Sequence, residues 1–391
     1  MTVTITPTKL RGPVTPPPSK SQAHRVLIAA ALAGPGSQID NLADSQDMQA
    51  TTRCMAALMT PGDILPELDC GESGSTLRFL IPVALALRGG GRFTGRGRLM
   101  ERPQEPYFEI FREKGIFYEQ RDGVLTVRGA LTPGTYTLPG DVSSQFVTGL
   151  LYALPLLDGD SAIELTTDLE SRGYVSMTQD AMGKFGVRSK WDGKRTFTVP
   201  GGQRYTPAKT AVEADWSQAG FWYAAEGLGN DVELGGMNAL SAQGDRRIVP
   251  YCAKLCGGGE LDLDVSQCPD LVPPLAALAA LRRDGGVTHI VNAARLRLKE
   301  CDRLSAVREE LDKLGARVEE GEDCLTLTGV DALTGGTVDS HNDHRIAMML
   351  AIAATRATGP VTITGAESVN KSYPTFWDEY KRLGGSIQCG M

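Results

Sequence analysis

The sequence predicts a two-domain α/β protein built from six copies of one supersecondary unit. Three observations support this prediction: the length of the chain, a polar segment that recurs before apolar helices, and a glycine that recurs before paired strands. At 391 residues the chain exceeds what one compact core usually holds, so two domains are expected. Its 41% hydrophobic residues, 22% charged residues and 45 glycines are typical of a turn-rich, soluble α/β protein.

The first repeated feature is a polar segment followed by a helix of small apolar residues. Successive segments are separated by 54, 70, 71, 55 and 73 residues, so six units of comparable length fill the chain. Core packing accounts for the apolar helices, but it does not explain the polar and charged residues where they begin. The six segments are Ser19-Lys-Ser21, Ser73-Gly-Ser75, Ser143-Ser-Gln145, Asp215-Trp-Ser217, Cys268-Pro-Asp270 and Asn342-Asp-His344.

The second repeated feature is a glycine at a helix end, followed by two strands with a tight turn. Glycine suits both places, because helix ends and Asp-Gly hairpin turns favour a left-handed backbone. Each unit is therefore expected to be β-α-β-α-β-β, with three units in each domain. The first unit is expected to lack part of its sheet, because the segment from Ala57 to Cys70 is short and interrupted by proline. The repeated glycines are Gly115, Gly186 and Gly315, with fainter copies at Gly257 and at Gly384, the last cut short by the C-terminus.

The charge of the chain argues against whole classes of partner. With 40 Lys and Arg against 47 Asp and Glu, the net charge is −7, so neither nucleic acid nor an anionic membrane is an expected partner.

The sequence also predicts the cellular location. No apolar run reaches the roughly 18 residues that cross a bilayer, and no signal or transit peptide is recognisable at the N-terminus. The eight cysteines are scattered, as expected for reduced thiols, and a cytoplasmic location is predicted.

The polar segments concentrate cations and hydroxyls in a way that predicts anion binding. Lys20 and Arg25 fall at the start of a helix, where the helix dipole disfavours positive charge unless an anion is bound. If this segment is considered by itself, a basic helix start that is exposed to solvent explains the pattern about as well as an anion site does. The alternating charges from Arg295 to Arg303 also favour a solvated surface strand when considered by themselves. No Walker A or Gly-x-Gly-x-x-Gly motif supports nucleotide binding.

Seven short motifs occur together in an order and spacing that resembles one known family. None of them is specific alone, but together they cover nearly the whole chain. They are Pro18-Ser-Lys-Ser-x-x-x-Arg25, Gly74-Ser-x-x-Arg78, Arg98-x-x-x-Arg102-Pro, Ser143-Ser-Gln145, Leu298-Lys-Glu-x-Asp-Arg303, Asn342-Asp-His-Arg345 and Lys371-x-x-Pro374. In these motifs the chain is similar to the 3-phosphoshikimate 1-carboxyvinyltransferases (EPSP synthases) of the enolpyruvyl transferase family.

The resemblance implies a specific fold and reaction. It implies a two-domain inside-out α/β barrel, in which each domain has three βαβαββ repeats with the helices enclosed by sheet. Residues 1-15 and 214-391 would form one domain and residues 16-213 the other, with hinge crossovers near 13-18 and 211-216. In a cleft that closes on the substrates, the enolpyruvyl group of phosphoenolpyruvate would pass to the 5-hydroxyl of shikimate 3-phosphate. Phosphate would be released, in the pathway to chorismate and the aromatic amino acids.

The resemblance also assigns residues to the substrates and to proton transfer. Asp270 would be the base for the hydroxyl and Glu300 the acid and later base, assisted by Lys20. Neither a metal nor an organic cofactor is called for, because proton transfer and charge neutralisation suffice, and a monomer is expected. Phosphoenolpyruvate would contact Lys20, Gly74, Arg98, Gln145, Arg303, Arg345 and Lys371. Shikimate 3-phosphate would contact Lys20, Ser21, Arg25, Ser143, Ser144, Gln145, Ser171, Tyr174, Asp270 and Lys299.

Three residues depart from the pattern of the family, one of them Ser75, which stands where threonine is common. Arg295 stands where asparagine is common, so a contact from residue 295 to the phosphorylated substrate is not expected. Cys301 stands where threonine or serine is common, and we hypothesise that it makes the protein sensitive to thiol reagents. Gly74 leaves space that a bulkier residue would block, so sensitivity to glyphosate, a phosphonate inhibitor of this family, is expected.

Two alternatives remain to be weighed. The UDP-N-acetylglucosamine enolpyruvyl transferases share the implied fold, but they carry a reactive cysteine in the loop that here runs from Gly95 to Glu101 without one. A non-catalytic anion-binding protein on the same scaffold would not need both Asp270 and Glu300 beside bound anions. The sequence therefore favours the shikimate enzyme over both.

Overall fold

The chain folds into two compact units, which a computed structural model describes for residues 1–390. The terminal unit contains Met1–Ser19 and the chain from Ala214 onward, and the central unit contains Lys20–Glu213. Each unit has a hydrophobic core of its own. Among residues 1–390, no helix combines the length and the apolar character needed to span a membrane.

Twenty short strands and twelve α-helices follow one another along the described residues. The strands are Thr2–Thr6 (β1), Arg11–Val14 (β2), Gln38–Asp40 (β3), Glu67–Asp69 (β4), Gly90–Thr94 (β5), Phe117–Arg121 (β6), Val124–Arg128 (β7), Gly134–Leu138 (β8), Ser161–Leu165 (β9), Lys190–Trp191 (β10), Thr196–Val199 (β11), Lys209–Ala211 (β12), Asp231–Leu234 (β13), Leu261–Asp264 (β14), Val287–Val291 (β15), Arg317–Glu320 (β16), Leu325–Thr328 (β17), Gly336–Asp339 (β18), Val361–Thr364 (β19) and Ser386–Gly390 (β20). The helices are Lys20–Ala33 (α1), Gln46–Met59 (α2), Gly74–Arg88 (α3), Glu105–Lys114 (α4), Ser144–Ala153 (α5), Arg172–Lys184 (α6), Trp216–Gly227 (α7), Ile248–Gly257 (α8), Val272–Ala280 (α9), Arg303–Lys313 (α10), His344–Ala354 (α11) and Phe376–Arg382 (α12).

Four of the sheets have four strands each and share one topology. The central unit holds the orders β4-β5-β7-β6 and β8-β9-β11-β10, and the terminal unit holds β14-β15-β17-β16 and β18-β19-β1-β20. In each sheet the first two strands are parallel and the other contacts are antiparallel. A helix joins each parallel pair, as in β4-α3-β5. Three of these sheets are continuous units with the predicted β-α-β-α-β-β arrangement, and the sheet that contains β18 includes β1 as its fourth strand.

The first and the fourth unit lack the hairpin of the β-α-β-α-β-β pattern, which is as predicted for the first unit and contradicts the prediction for the fourth. After α2, the described residues 60–66 include Pro61 and Pro66 and reach β4 without a hairpin, because proline disfavours sheet pairing. After α8, only Gly258, Gly259 and Glu260 precede β14, so there is no room for two strands. In these units the sheet is a parallel pair, β3 with β12 and β2 with β13. The prolines between Ala57 and Cys70 predict the shortening of the first unit, whereas nothing in the repeat pattern predicts that of the fourth.

The sixth unit is completed by the N-terminus instead of being cut short. Strand β1 lies between β19 and β20 and pairs antiparallel with both, so that Val3 is opposite Ile363 on one side and Cys389 on the other. The first residues of the chain therefore supply the strand that the C-terminal segment lacks.

The helices that follow the polar segments are enclosed on nearly all sides. Every residue of α11 is buried, and α5 packs closely on α3 at Gly149. A Cβ at residue 149 would lie 2.6 Å from the carbonyl oxygen of Arg78, so this approach requires glycine. Because the helix bodies are enclosed, the polar chemistry of these helices is concentrated at their N-terminal ends.

Candidate active site

The six helices predicted to follow the polar segments are all present, as α1, α3, α5, α7, α9 and α11. Side-chain capping explains four of their starts. The side chains of Ser73, Ser143, Asp215 and Asp343 accept hydrogen bonds from backbone N–H groups in the first turns of α3, α5, α7 and α11. These caps place the neighbouring cationic and hydroxyl residues of the motifs at helix N-termini.

Lys20 and Arg25 have different surroundings in the first turns of α1. The Lys20 Nζ lies 3.0 Å from Asp47 Oδ2 on α2. Arg25 is buried, and its hydrogen-bond acceptors within residues 1–390 are all neutral oxygens. Burial without a bonded carboxylate lowers the pKa of Arg25 to about 10. The acceptors are the carbonyl oxygens of Ser21 and Tyr174 and the hydroxyls of Thr148 and Thr178.

Gln145 connects three of the predicted motifs. Its Oε1 accepts a hydrogen bond from Arg78 Nη1 at 3.0 Å, and its Nε2 donates to Ser75 Oγ at 3.0 Å. Arg78 Nη2 donates to the carbonyl oxygen of Pro103 at 2.9 Å. The structure therefore brings together motifs that are separated by up to 70 residues in sequence.

Gly74 lies against the guanidinium of Arg102. A Cβ at residue 74 would be 2.7 Å from Arg102 Nη1, which is closer than side-chain atoms normally approach. The Arg102 Nε is buried and has no hydrogen-bond partner among the described residues. Arg98, earlier in the same loop, is half exposed, and its Nε lies 3.8 Å from Glu101 Oε2. Of the two arginines, Arg102 is therefore the one whose guanidinium lies at the start of α3.

The predicted hydroxyl residues lie at the starts of three helices in the central unit. Ser21 is in the first turn of α1, and Ser143 and Ser144 cap and begin α5. Ser171 is buried and precedes α6 with a φ of 53°, an uncommon backbone conformation for serine. Tyr174 lies in the first turn of α6, where its ring is 5.7 Å from the guanidinium carbon of Arg25.

Arg303, the first residue of α10, is surrounded by carboxylates in the terminal unit. Its Nε donates to Asp343 Oδ2 at 2.7 Å, its Nη1 to Asp270 Oδ1 at 2.9 Å and its Nη2 to Glu300 Oε2 at 2.7 Å. Burial lowers the pKa of Arg303, but Asp343, Glu300 and Asp270 outweigh that effect and raise it well above its usual value. The guanidinium is therefore a permanent charge at the centre of this group.

Three more cations belong to the same unit. Arg345 Nη2 lies 3.1 Å from Asp270 Oδ2, and Lys299 Nζ lies 3.6 Å from Asp270 Oδ1. Lys371 is buried, and its Nζ donates to the carbonyl oxygen of Asn342 at 2.6 Å. The name Arg303 cluster is used below for Asp270, Lys299, Glu300, Arg303, Asp343 and Arg345.

The arrangement has two chemical capacities. Arginine and lysine at this density suit phosphate and carboxylate groups, since guanidinium binds both through paired hydrogen bonds. Asp270 and Glu300 supply carboxylates for proton transfer next to cations that keep anionic ligands in place. Binding an anion here would require it to compete with these carboxylates for Arg303 and Arg345.

Comparison with known proteins identifies the family. Residues 5–259 and 260–380 match the family model described as EPSP synthase (3-phosphoshikimate 1-carboxyvinyltransferase). The chain is 46% identical to the 3-phosphoshikimate 1-carboxyvinyltransferase of Clostridium kluyveri, with 98% of each chain covered. The chain belongs to the EPSP synthase family. It is therefore an enzyme of the transferase class that acts in the shikimate pathway.

Further members of the EPSP synthase family agree with this assignment. The 3-phosphoshikimate 1-carboxyvinyltransferase of Clostridium perfringens (strain 13) is 44% identical to the chain, with 99% of each covered. A solved structure of EPSP synthase from Acinetobacter baumannii is similar with a TM-score of 0.80 over 100% of both chains, at 23% identity. That structural similarity supports the α/β fold.

Three residues that have no role assigned from the sequence contact predicted site residues. Asp343 bonds to Arg303, Asp47 pairs with Lys20, and Arg78 holds Gln145. An aspartate directly before an apolar helix is a recognisable helix cap, so the sequence was sufficient to predict that Asp343 caps α11. The pairing of Asp47 with Lys20 depends on the packing of α2 on α1, which spacing alone does not show.

The structure argues against the hypothesis that Cys301 is a reactive thiol. Its side chain is buried, and its Sγ lies 3.6 Å from Asp343 Oδ2. Burial and the Asp343 charge raise the pKa of Cys301, so the reactive thiolate is scarce. We expect the exposed Cys256 and Cys389 to be alkylated by iodoacetamide at least about tenfold faster than Cys301. Peptide mapping by mass spectrometry over time measures this, and comparable rates would contradict it.

His24 makes the stability of the protein sensitive to pH. It is fully buried with Nδ1 2.7 Å from Thr51 Oγ1, and burial, Lys20 and Arg25 lower its pKa well below 6.5. In the unfolded chain His24 takes up a proton below that pH, but in the folded chain it does not. The free energy of unfolding is therefore highest above pH 6.5 and decreases with falling pH, by up to about 1.4 kcal/mol per pH unit.

Urea denaturation of wild type and His24→Gln from pH 7.5 to 5.5 tests this expectation. The difference in stability between the two proteins should shrink by at least about 1 kcal/mol over that range. A difference that does not change with pH would show that His24 is not neutral in the folded protein.

Proposed function

We propose that this enzyme transfers the enolpyruvyl group of phosphoenolpyruvate to the 5-hydroxyl of shikimate 3-phosphate and releases phosphate. The observation that carries the proposal is the Arg303 cluster, in which Asp270 and Glu300 lie within hydrogen-bond distance of one buried arginine. Two carboxylates and several cations are what the reaction needs, since it moves protons between a hydroxyl and a carbon while anions are bound.

The anionic groups of phosphoenolpyruvate are assigned to the cations. Arg345 and Arg303 each offer a planar guanidinium, and Lys371 and Lys20 offer compact charges. The Arg78 contact holds Gln145 in a defined orientation. The proposed contacts are Lys20, Gly74, Arg98, Gln145, Arg303, Arg345 and Lys371.

Shikimate 3-phosphate is assigned to the hydroxyl-rich helix starts. Arg25 supports this assignment, because a buried cation with neutral acceptors leaves positive charge for a nearby phosphate. The proposed contacts are Lys20, Ser21, Arg25, Ser143, Ser144, Gln145, Ser171, Tyr174, Asp270 and Lys299.

Asp270 and Glu300 are assigned opposite roles in proton transfer. Asp270 takes the proton of the 5-hydroxyl as that oxygen attacks the middle carbon of phosphoenolpyruvate. Glu300 protonates the methylene carbon, and after the tetrahedral intermediate forms it removes a proton from the same carbon as phosphate leaves. Lys20 assists by neutralising the charge of the departing phosphate.

A phosphate-release assay with purified protein tests the function. We expect phosphate release only when phosphoenolpyruvate and shikimate 3-phosphate are both present. Release with UDP-N-acetylglucosamine in place of shikimate 3-phosphate would favour the related transferase, which the absence of cysteine from Gly95 to Glu101 disfavours. Binding of either substrate without turnover would favour a non-catalytic anion-binding protein.

Gly74→Ala tests the proposed position of phosphoenolpyruvate. The new Cβ would meet the Arg102 guanidinium 2.7 Å away and displace it. Moving this guanidinium changes the space next to the proposed phosphoenolpyruvate position, so we expect the inhibition constant for glyphosate to rise at least about tenfold, which corresponds to about 1.4 kcal/mol of binding free energy. Melting temperature should change little, because the displaced atoms are the end of a flexible side chain. Inhibition curves that coincide for wild type and variant would contradict this placement.

We also propose that the enzyme acts as a monomer in the cytoplasm and without a metal or organic cofactor. All eight cysteines are unpaired thiols, which suits a reducing compartment. Analytical ultracentrifugation at micromolar concentration tests the oligomeric state, and a mass twice 41.8 kDa would contradict it.

A further inference from the structure

Glu310 occupies the middle of α10 with a fully buried carboxylate. Its Oε1 lies 2.8 Å from Lys313 Nζ and 2.6 Å from His341 Nε2, and its Oε2 accepts a hydrogen bond from the backbone N–H of Asp339 at 2.9 Å. Both oxygens of the carboxylate are therefore engaged. The Glu310 side chain therefore connects α10 to Asp339 at the end of β18 and to His341, two residues beyond that strand.

The loop 340–343, which joins β18 to α11, has an uncommon backbone. His341 and Asn342 have φ angles of 50° and 53°, in the left-handed region that non-glycine residues seldom adopt. Such a conformation persists only where surrounding contacts hold it. The Glu310 contacts to Asp339 and His341 lie directly before and within this loop.

The same loop contacts two residues assigned to phosphoenolpyruvate. The carbonyl oxygen of Asn342 accepts from Lys371 Nζ at 2.6 Å, and the Asp343 carboxylate accepts from Arg303 Nε at 2.7 Å. Arg303 also begins the helix on which Glu310 lies. The position of the loop relative to α10 therefore determines the positions of the Lys371 ammonium and the Arg303 guanidinium.

We propose that Glu310 is a positioning residue for phosphoenolpyruvate binding, which acts by holding the loop 340–343 against α10. The inference rests on the proposed function, because it assumes that Lys371 and Arg303 contact this substrate. Glu309, Glu310 and His341 together could also ligate a metal ion. We assign no metal to them, because the Lys313 ammonium already neutralises the buried Glu310 carboxylate.

The substitution Glu310→Gln isolates this role. A carboxamide has the same size, but it has one acceptor oxygen where the carboxylate has two. Its NH₂ group would face one of the donors from Lys313, His341 or Asp339, so at least one contact is lost. Glu309→Gln is the matched control, because it removes the same charge one residue earlier from an exposed side chain, which lies 3.9 Å from His341 Nε2 and 4.0 Å from Lys313 Nζ.

Two measurements test the proposal. In Glu310→Gln we expect the KM for phosphoenolpyruvate to rise at least about tenfold while the KM for shikimate 3-phosphate changes less than about threefold. We also expect Lys371, which is buried in the wild type, to react at least about fivefold faster with an amine-acetylating reagent, followed by mass spectrometry. Glu309→Gln should match the wild type in both.

The outcomes separate the two proposals. No phosphate release by the wild type would count against the proposed function, while the Lys371 labelling rate would still test the positioning role. Unchanged labelling in folded Glu310→Gln, or an equal rise in both KM values, would overturn the positioning role. If Glu310→Gln does not fold, His341→Asn replaces it, since asparagine tolerates the left-handed backbone but is too short to reach Glu310. The same results are expected for that variant.

Discussion

Glu300→Gln is expected to lower kcat by about 10² to 10⁴-fold while the KM for shikimate 3-phosphate stays within about threefold. The carboxamide cannot transfer a proton to or from the methylene carbon. Its oxygen can still accept the hydrogen bond that Glu300 Oε2 now receives from Arg303 at 2.7 Å, so the Arg303 cluster should keep its arrangement. Steady-state phosphate release at saturating substrate concentrations measures kcat.

The control for this experiment is Glu322→Gln, which removes the same charge from an exposed position in the terminal unit. That variant should have wild-type kcat. A Glu300→Gln enzyme with more than about a tenth of wild-type kcat would assign the carbon proton transfer to another group, with Lys20 as the next candidate.

Arg303→Met is expected to destabilise the terminal unit by about 3–5 kcal/mol. The change removes the guanidinium that neutralises Asp343, Asp270 and Glu300, and the Asp343 side chain is fully buried. An uncompensated carboxylate in that place keeps its desolvation penalty and loses its attraction to Arg303. Chemical denaturation monitored by circular dichroism measures the loss, and phosphate release should fall below detection in the same variant.

Two further variants show whether charge is the cause. Arg308→Met, on the same helix, removes a partly exposed arginine 3.6 Å from Glu320 and should change stability by less than about 1 kcal/mol. Adding Asp343→Asn to Arg303→Met should restore part of the loss, since asparagine is neutral and can still cap α11. A double variant no more stable than Arg303→Met would show that packing, and not charge, explains the loss.

The helix starts could be predicted from the sequence because their signals are local. A capping residue followed by an apolar run specifies a helix N-terminus within a few residues, and α1, α3, α5, α7, α9 and α11 all begin at the predicted segments. The resemblance also identified five of the six residues of the Arg303 cluster as functional candidates, all except Asp343. The sequence does not show which of these residues contact one another. Asp270 and Arg303, for example, are 33 residues apart and meet only through tertiary packing.

The strand content was harder to predict. The hairpin after α8 is absent because three residues separate that helix from β14, and a periodic pattern in the sequence does not reveal a shortened copy. The sixth unit is completed by β1, whose pairing with Ile363 and Cys389 is set by contacts across more than 350 residues of chain. Such pairings carry little local signal, because one strand edge resembles another.

By itself the sequence determined the period of six units, the helices that begin at polar segments, and the cationic motifs that resemble the EPSP synthase family. The tertiary structure decided which carboxylate meets which cation, which thiol is buried, and which strand completes each sheet. The physical reason is the distance along the sequence over which each interaction acts. Capping and helix formation depend on neighbours within one or two helical turns. Burial, ion pairing and strand pairing depend on groups that only the folded chain brings together.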